Sequence, residues 1–286
     1  MRKIILALAA SWLLVFSSAA DAFDVVQITD NSTEDRNPAI SGSNVVWARC
    51  DGSTHFACLG GDQEIYFWDG SFPIVPIQIT NNSINDTNPA ISGSKVVWVS
   101  YEDIVPITAT DLYFWDGSFP ITPIHIAHND PPVVFSPDIS GSTVVWNSLV
   151  DDASEIFRWD GSFPIVPTVI TDNDRGEGSP AISDSNVVWE HHGEYDYEIY
   201  FWDGVTTTNV SNNGHNHDEF PDISGSTVVW EGCVWDSYVG CVEDDEIYLT
   251  TVPEPSFPLL MGSGLIGLAA LNQRRKNKGI RSVLRQ

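Results

Sequence analysis

The sequence predicts an all-β fold, a five-bladed β-propeller closed by its own N-terminal strand. Three observations lead there. A pattern of Pro, Ile, Ser, Ser, Val, Val and Trp occurs five times, at Pro38–Trp47, Pro89–Trp98, Pro137–Trp146, Pro180–Trp189 and Pro221–Trp230. A second phrase, WDGSFP, follows three of these units, and a shortened WDG at Trp202–Gly204 follows a fourth. The tryptophans recur every forty to fifty residues, the period of a four-stranded propeller blade.

Each unit parses into four strands. Strand a is the short P-x-I-S, and a Gly-Ser or Asp-Ser pair reverses the chain. Strand b is the V-V-W run, rich in β-branched and aromatic residues. Strand c is a segment such as Glu64–Trp68, and Asp-Gly then turns the chain into strand d, such as Ile77–Thr80. Asp24–Thr29 has the pattern of a strand d with no blade before it, and the fifth unit stops at strand c. The N-terminal strand is therefore expected to complete the last blade and remove two exposed edges. The SGS and WDGSFP turns would share one uniform face. The variable b–c loops and d–a connections would form the other face, where binding groups are expected.

The two ends are set apart from this body. Residues 1–22 have Arg2 and Lys3, an apolar run from Ile4 to Phe16, and small residues Ala20 and Ala22, the pattern of a secretory signal peptide. The propeller occupies 23–252. In 253–286, Pro253, Glu254 and Pro255 precede an apolar stretch to Leu271, then Arg274, Arg275 and Lys276. The apolar stretch is short for a membrane span.

That order of elements resembles the PEP-CTERM sorting tail. The resemblance implies a short hydrophobic sorting helix, transient insertion in the inner membrane of a Gram-negative bacterium, and processing near Pro253–Pro255 by an exosortase-type enzyme. It also implies a secreted destination at the cell surface or in the extracellular matrix, often with exopolysaccharide. The P-x-x-S turn and I-Y strand of the repeat are similar to the TolB-type propeller.

The whole chain has a net charge of −26, and its basic residues lie mostly in the two end segments. So acidic a body excludes charge-driven binding to nucleic acid or anionic lipid. Cys50 and Cys58, and Cys233 and Cys241, are paired at equal spacing in two b–c loops, which in an exported chain predicts two local disulfides.

Three ideas address chemistry. His191, His192, His215 and His217, with Asp218 and Glu219, lie in adjacent variable segments and have the ligand types for Zn²⁺. The Asp172–Gly178 stretch has the opening of a Ca²⁺ loop but lacks its later ligands. Asp138 and Asp222 replace the Ala of the other strands a, so two carboxylates could face the channel and serve a glycan-active hydrolase or lyase. No G-x-S-x-G or H-E-x-x-H is present. The expectation is therefore a non-enzymatic module that binds extracellular polysaccharide or a surface protein through its acidic variable face, with Ca²⁺ or Zn²⁺ as the candidate ions.

Overall fold

A computed structural model describes residues 25–252, apart from 52–57, 59–61, 103–108, 130–135, 151–152, 195, 214–215, 237–239 and 242–245. The leader, the sorting tail and His215 lie outside the described residues. The chain divides into two units, Met1–Asn31 and Ser32–Gln286. The second contains five antiparallel sheets, one per repeat.

Blade one is β1 (Asp35–Ser41), β2 (Asn44–Asp51), β3 (Asp62–Trp68) and β4 (Ile77–Gln78). Blade two is β5 (Asn85–Ser92), β6 (Lys95–Tyr101), β7 (Thr110–Trp115) and β8 (Ile124–Asn129). Blade three is β9 (Asp138–Ser140), β10 (Thr143–Val150), β11 (Ala153–Trp159) and β12 (Thr168–Val169). Blade four is β13 (Gly176–Ser183), β14 (Asn186–His192), β15 (Tyr197–Trp202) and β16 (Thr207–Asn209). Blade five is β17 (Asn216–Ser224), β18 (Thr227–Asp236), β19 (Gly240–Cys241) and β20 (Glu246–Thr251), with β18 pairing β17, β19 and β20.

Both repeated phrases are structural, as their uniformity suggests. The Asp-Gly turn packs on the Gly-Ser turn of its own blade. Gly70 has a φ of +80°, and a Cβ there would meet the Ser43 Cβ at 2.5 Å, so only glycine fits. The Trp ending strand c donates to the Ser carbonyl of the same phrase, Trp68 to Ser71 at 2.8 Å and Trp159 to Ser162 at 2.9 Å. The first Ser of each Gly-Ser turn stitches blades together. Its hydroxyl accepts the turn N–H of the next blade: Ser41 from Gly93, Ser92 from Gly141, Ser140 from Asp184 and Ser183 from Gly225, all at 2.8–2.9 Å.

The core lies between successive blades. Ile91, Ile139, Ile182 and Ile223 of strands a are 5–9% exposed. Ile91 packs with Val46, Ile65 and Phe67 of the preceding blade.

One expectation is corrected. Strand a is longer than P-x-I-S in blades one, two, four and five, where the residues read as d–a connection join the sheet. Each such strand has a register shift just before its Pro-containing turn of chain. Asn37, Asn88, Ser179 and Phe220 take positive φ at these bulges. A bulge removes the need for a ladder N–H, which is how Pro enters an otherwise regular strand.

Closure by the N-terminal strand is not shown: residues 25–30 form no strand, and Val25 is 94% exposed. The two end blades also carry exposed large apolar side chains. Ile40, the counterpart of the buried Ile91, is 69% exposed, and Ile247 and Leu249 of β20 are 72% and 64% exposed.

Candidate functional site in blade four

The five blades act as controls for one another. In three of them the strand-b tryptophan donates its indole N–H to an acid twelve residues earlier on strand a. The pairs are Trp47 to Asp35 at 2.8 Å, Trp98 to Asp86 at 3.0 Å and Trp230 to Asp218 at 3.0 Å. An Asn in the connection pins the acid: Asn82 Nδ2 lies 2.7 Å from Asp86 and Asn213 Nδ2 2.9 Å from Asp218. The Asn82 backbone N–H also donates to Glu64 of the preceding strand c at 2.7 Å, so one residue ties two blades. Burial pushes Asp86 and Asp218 above the usual carboxylate range. It pushes Glu64 up to about 7.

Much of the acidic variable face is therefore consumed inside the blades. The sequence shows these acids as turn formers, because nothing local connects them to a tryptophan twelve residues on.

Blade four departs from the pattern. The position holds Glu177, one methylene longer than Asp and only 1% exposed. Its Oε1 accepts from the Asn173 amide at 2.7 Å and pairs with His191 Nδ1 at 2.8 Å. Among the described residues, its Oε2 has no partner, and neither has the indole N–H of the buried Trp189. The hydrogen bond to Glu177 holds His191 above the usual imidazole range, against the opposing effect of its burial. These groups line an open cleft of about 320 Å³ with Arg175, Tyr200 and Thr207. A buried donor and a buried acceptor left unmade each cost about 1–3 kcal/mol, so two residues of the cleft lining carry unsatisfied polar atoms.

The predicted zinc set does not converge. His191 is committed to Glu177. His192 lies 3.5 Å from Glu190, and His217 lies 3.7 Å from Glu219. Both rings pack on Tyr197, with centroids 4.1 and 4.3 Å away. Asp218 faces Trp230 and Asn213. Among the described residues, no three of this set bring donor atoms within 4.8 Å of one another. The Asp172–Gly178 stretch leads into β13, with the Asn173 side chain accepting the Arg175 N–H at 2.8 Å.

Asp138 and Asp222 differ in surroundings. Asp138 accepts backbone N–H groups with both oxygens, from Ile139 and, across the blade joint, from Ile182, each at 2.8 Å. Burial raises its pKa, and the Asp222 charge adds to this. Asp222 is exposed and accepts the Ile223 N–H at 2.8 Å. The two disulfides are the expected local ones, Cys50–Cys58 and Cys233–Cys241, with Cα separations of 5.5 and 5.7 Å.

The sequence reading missed the cleft. The signal was present as a deviation, since Glu177 stands where the repeat has Asp35, Asp86 and Asp218.

Outside the propeller, residues 251–276 match the PEP-CTERM protein-sorting motif. The motif implies an exported, cell-surface-sorted protein and exosortase processing. No curated protein sequence matches the chain. Its fold is similar to that of an acylaminoacyl peptidase from Pyrococcus horikoshii, at 14% identity and a TM-score of 0.51, covering 80% of this chain and 40% of that one. Hydrazine synthase from Kuenenia stuttgartiensis matches at 14% identity and a TM-score of 0.50, covering 78% and 39%. TolB from Acinetobacter baumannii matches at 13% identity and a TM-score of 0.49, covering 72% and 53%. The chain thus spans about half or less of these three structures, and the likeness concerns the propeller fold alone.

Proposed function

We propose that this exported propeller is a non-enzymatic binding module of the cell surface or extracellular matrix, and that it takes a polyhydroxylated ligand, a glycan, in the blade-four cleft. The observation that carries the reading is the pair of unused polar groups there, Glu177 Oε2 and Trp189 Nε1. A sugar hydroxyl both donates and accepts, so one hydroxyl or two neighbours would satisfy the pair. Tyr200 and His191 offer ring surface, and Arg175 suits a carboxylate-bearing sugar.

A surface-protein partner and bridging Ca²⁺ belong to the same reading of the acidic face. Hydrolysis is the less supported alternative, because Asp138 is occupied on both oxygens by backbone donors.

The test incubates the purified exported protein with acidic and neutral bacterial exopolysaccharides, with and without Ca²⁺. Protein depletion and new reducing ends are followed together. Depletion without new ends is expected. New ends that disappear in Asp138→Ala or Asp222→Ala would replace this reading by a glycan-active enzyme.

A further inference from the structure

Blade two breaks the repeat in a different way. Its strand d, β8, runs six residues, whereas β4 and β12 run two. The cause is one side chain. In blade one the Thr80 hydroxyl accepts the Ile65 N–H at 2.8 Å, and Thr171 does the same for Ile156 in blade three. Blade two has Ala127 at this place, with no side-chain acceptor to offer. Backbone pairing instead continues past it, Leu112 with Ala127 and Asp111 with His128.

A register shift between Leu112 and Tyr113 accompanies this extension. Residues three apart on a regular strand point to opposite faces, so His125 and His128 should diverge. The bulge absorbs one residue, and both rings reach the same carboxylate. Asp111 Oδ1 lies 2.7 Å from His125 Nε2 and 2.8 Å from His128 Nδ1. One donor atom from each of the three lies within 4.8 Å of the others, the one such group among the described residues.

We propose that Asp111, His125 and His128 form a Zn²⁺ site on blade two. Two imidazoles and one carboxylate are a donor set for Zn²⁺, Ni²⁺ or Cu²⁺. Ca²⁺ is a poor fit, because it takes six to eight oxygen ligands. The three side chains are 29–54% exposed, so the ion enters from solvent. Three protein ligands leave a fourth tetrahedral position for water or for an oxygen of a bound partner. The site is separate from the blade-four cleft, and neither proposal depends on the other.

The test is calorimetric titration of the purified exported protein with Zn²⁺ in excess Mg²⁺, which occupies the weak carboxylate sites. One saturable Zn²⁺ per chain is expected. Replacing the histidines by the residues blade one carries there, His125→Gln with His128→Asn, should weaken it at least about 10-fold while circular dichroism stays unchanged. Asp111→Asn should weaken it as well, and His192→Asn should not. Saturable binding that survives the double substitution, binding lost equally in His192→Asn, or no saturable binding in the parent protein would each overturn the assignment.

Discussion

Blade two and blade four contain the same tryptophan in the same V-V-W strand, yet the two indoles meet different fates. Trp98 donates to Asp86, which Ser100 and Asn82 also hold. Trp189 donates to none of the described residues, and Glu177 turns to His191 and Asn173. The first arrangement is closed and contributes to stability. The second leaves a buried donor and a buried acceptor unpartnered on two residues that line a cleft. A single methylene separates a structural clamp from a candidate binding site, and the intact copies in blades one, two and five make the difference readable.

The sharpest way to break this comparison is to destroy the closed clamp. Asp86→Ala leaves Trp98, Ser100 and Asn82 without their shared acceptor. It should cost about 3 kcal/mol or more of stability in denaturant titration. A loss near zero would mean that the clamp does not matter to the fold.

A smaller effect is expected at the turns, where Gly117→Ala would force a Cβ against Ser94 at a φ of +84°. Strain of this kind costs about 1–3 kcal/mol. The same change at Gly204 meets nothing within 4 Å, so it retains only the φ penalty and should cost less.

Glu177→Asp sharpens the comparison from the other side. The shorter acid should restore the Trp189 bond seen in the other blades and raise stability by about 1 kcal/mol. Glycan retention should fall, because the cleft loses its free donor. Unchanged retention would place the ligand elsewhere.

A pH dependence gives a further test. Glu64 has a folded pKa of about 7 against an ordinary 4.5. Between those values the unfolded chain has already released a proton that the folded protein retains, so stability falls as pH rises through the window. Below 4.5 and above 7 this group contributes no slope. Melting temperatures measured across pH 4.5–7 should decline, and Glu64→Gln should flatten the decline.

How much of this was legible in the sequence follows from where the information resides. The repeat, the strand assignments and the uniform turns were legible because each rests on local pattern: V-V-W, Gly-Ser, Asp-Gly. The local disulfides were legible from spacing and export. The closing strand was not, since an apolar pattern at Val25–Ile28 does not reveal whether the opposing faces pack. The histidine cluster of blade four was a proximity argument, and proximity along two loops does not aim ring nitrogens at one point. The cluster of blade two depends on a bulge set by Ala127, and the cleft depends on one extra methylene in Glu177. Both are departures from a repeat, visible only once the repeat's own hydrogen bonds are known.

The most direct measurement compares Trp98→Phe with Trp189→Phe, each assayed for thermal stability and for retention on the exopolysaccharide that the parent protein binds. Both changes remove an indole N–H together with three ring atoms from a fully buried site, so both leave a similar cavity and the difference between them reports the N–H. Trp98→Phe should lower the melting temperature further, because it also breaks the bond to Asp86, and leave retention intact. Trp189→Phe should lower the melting temperature less, because its N–H has no protein partner among the described residues, and abolish retention. Full retention by Trp189→Phe, or equal destabilisation by the two changes, would contradict the account.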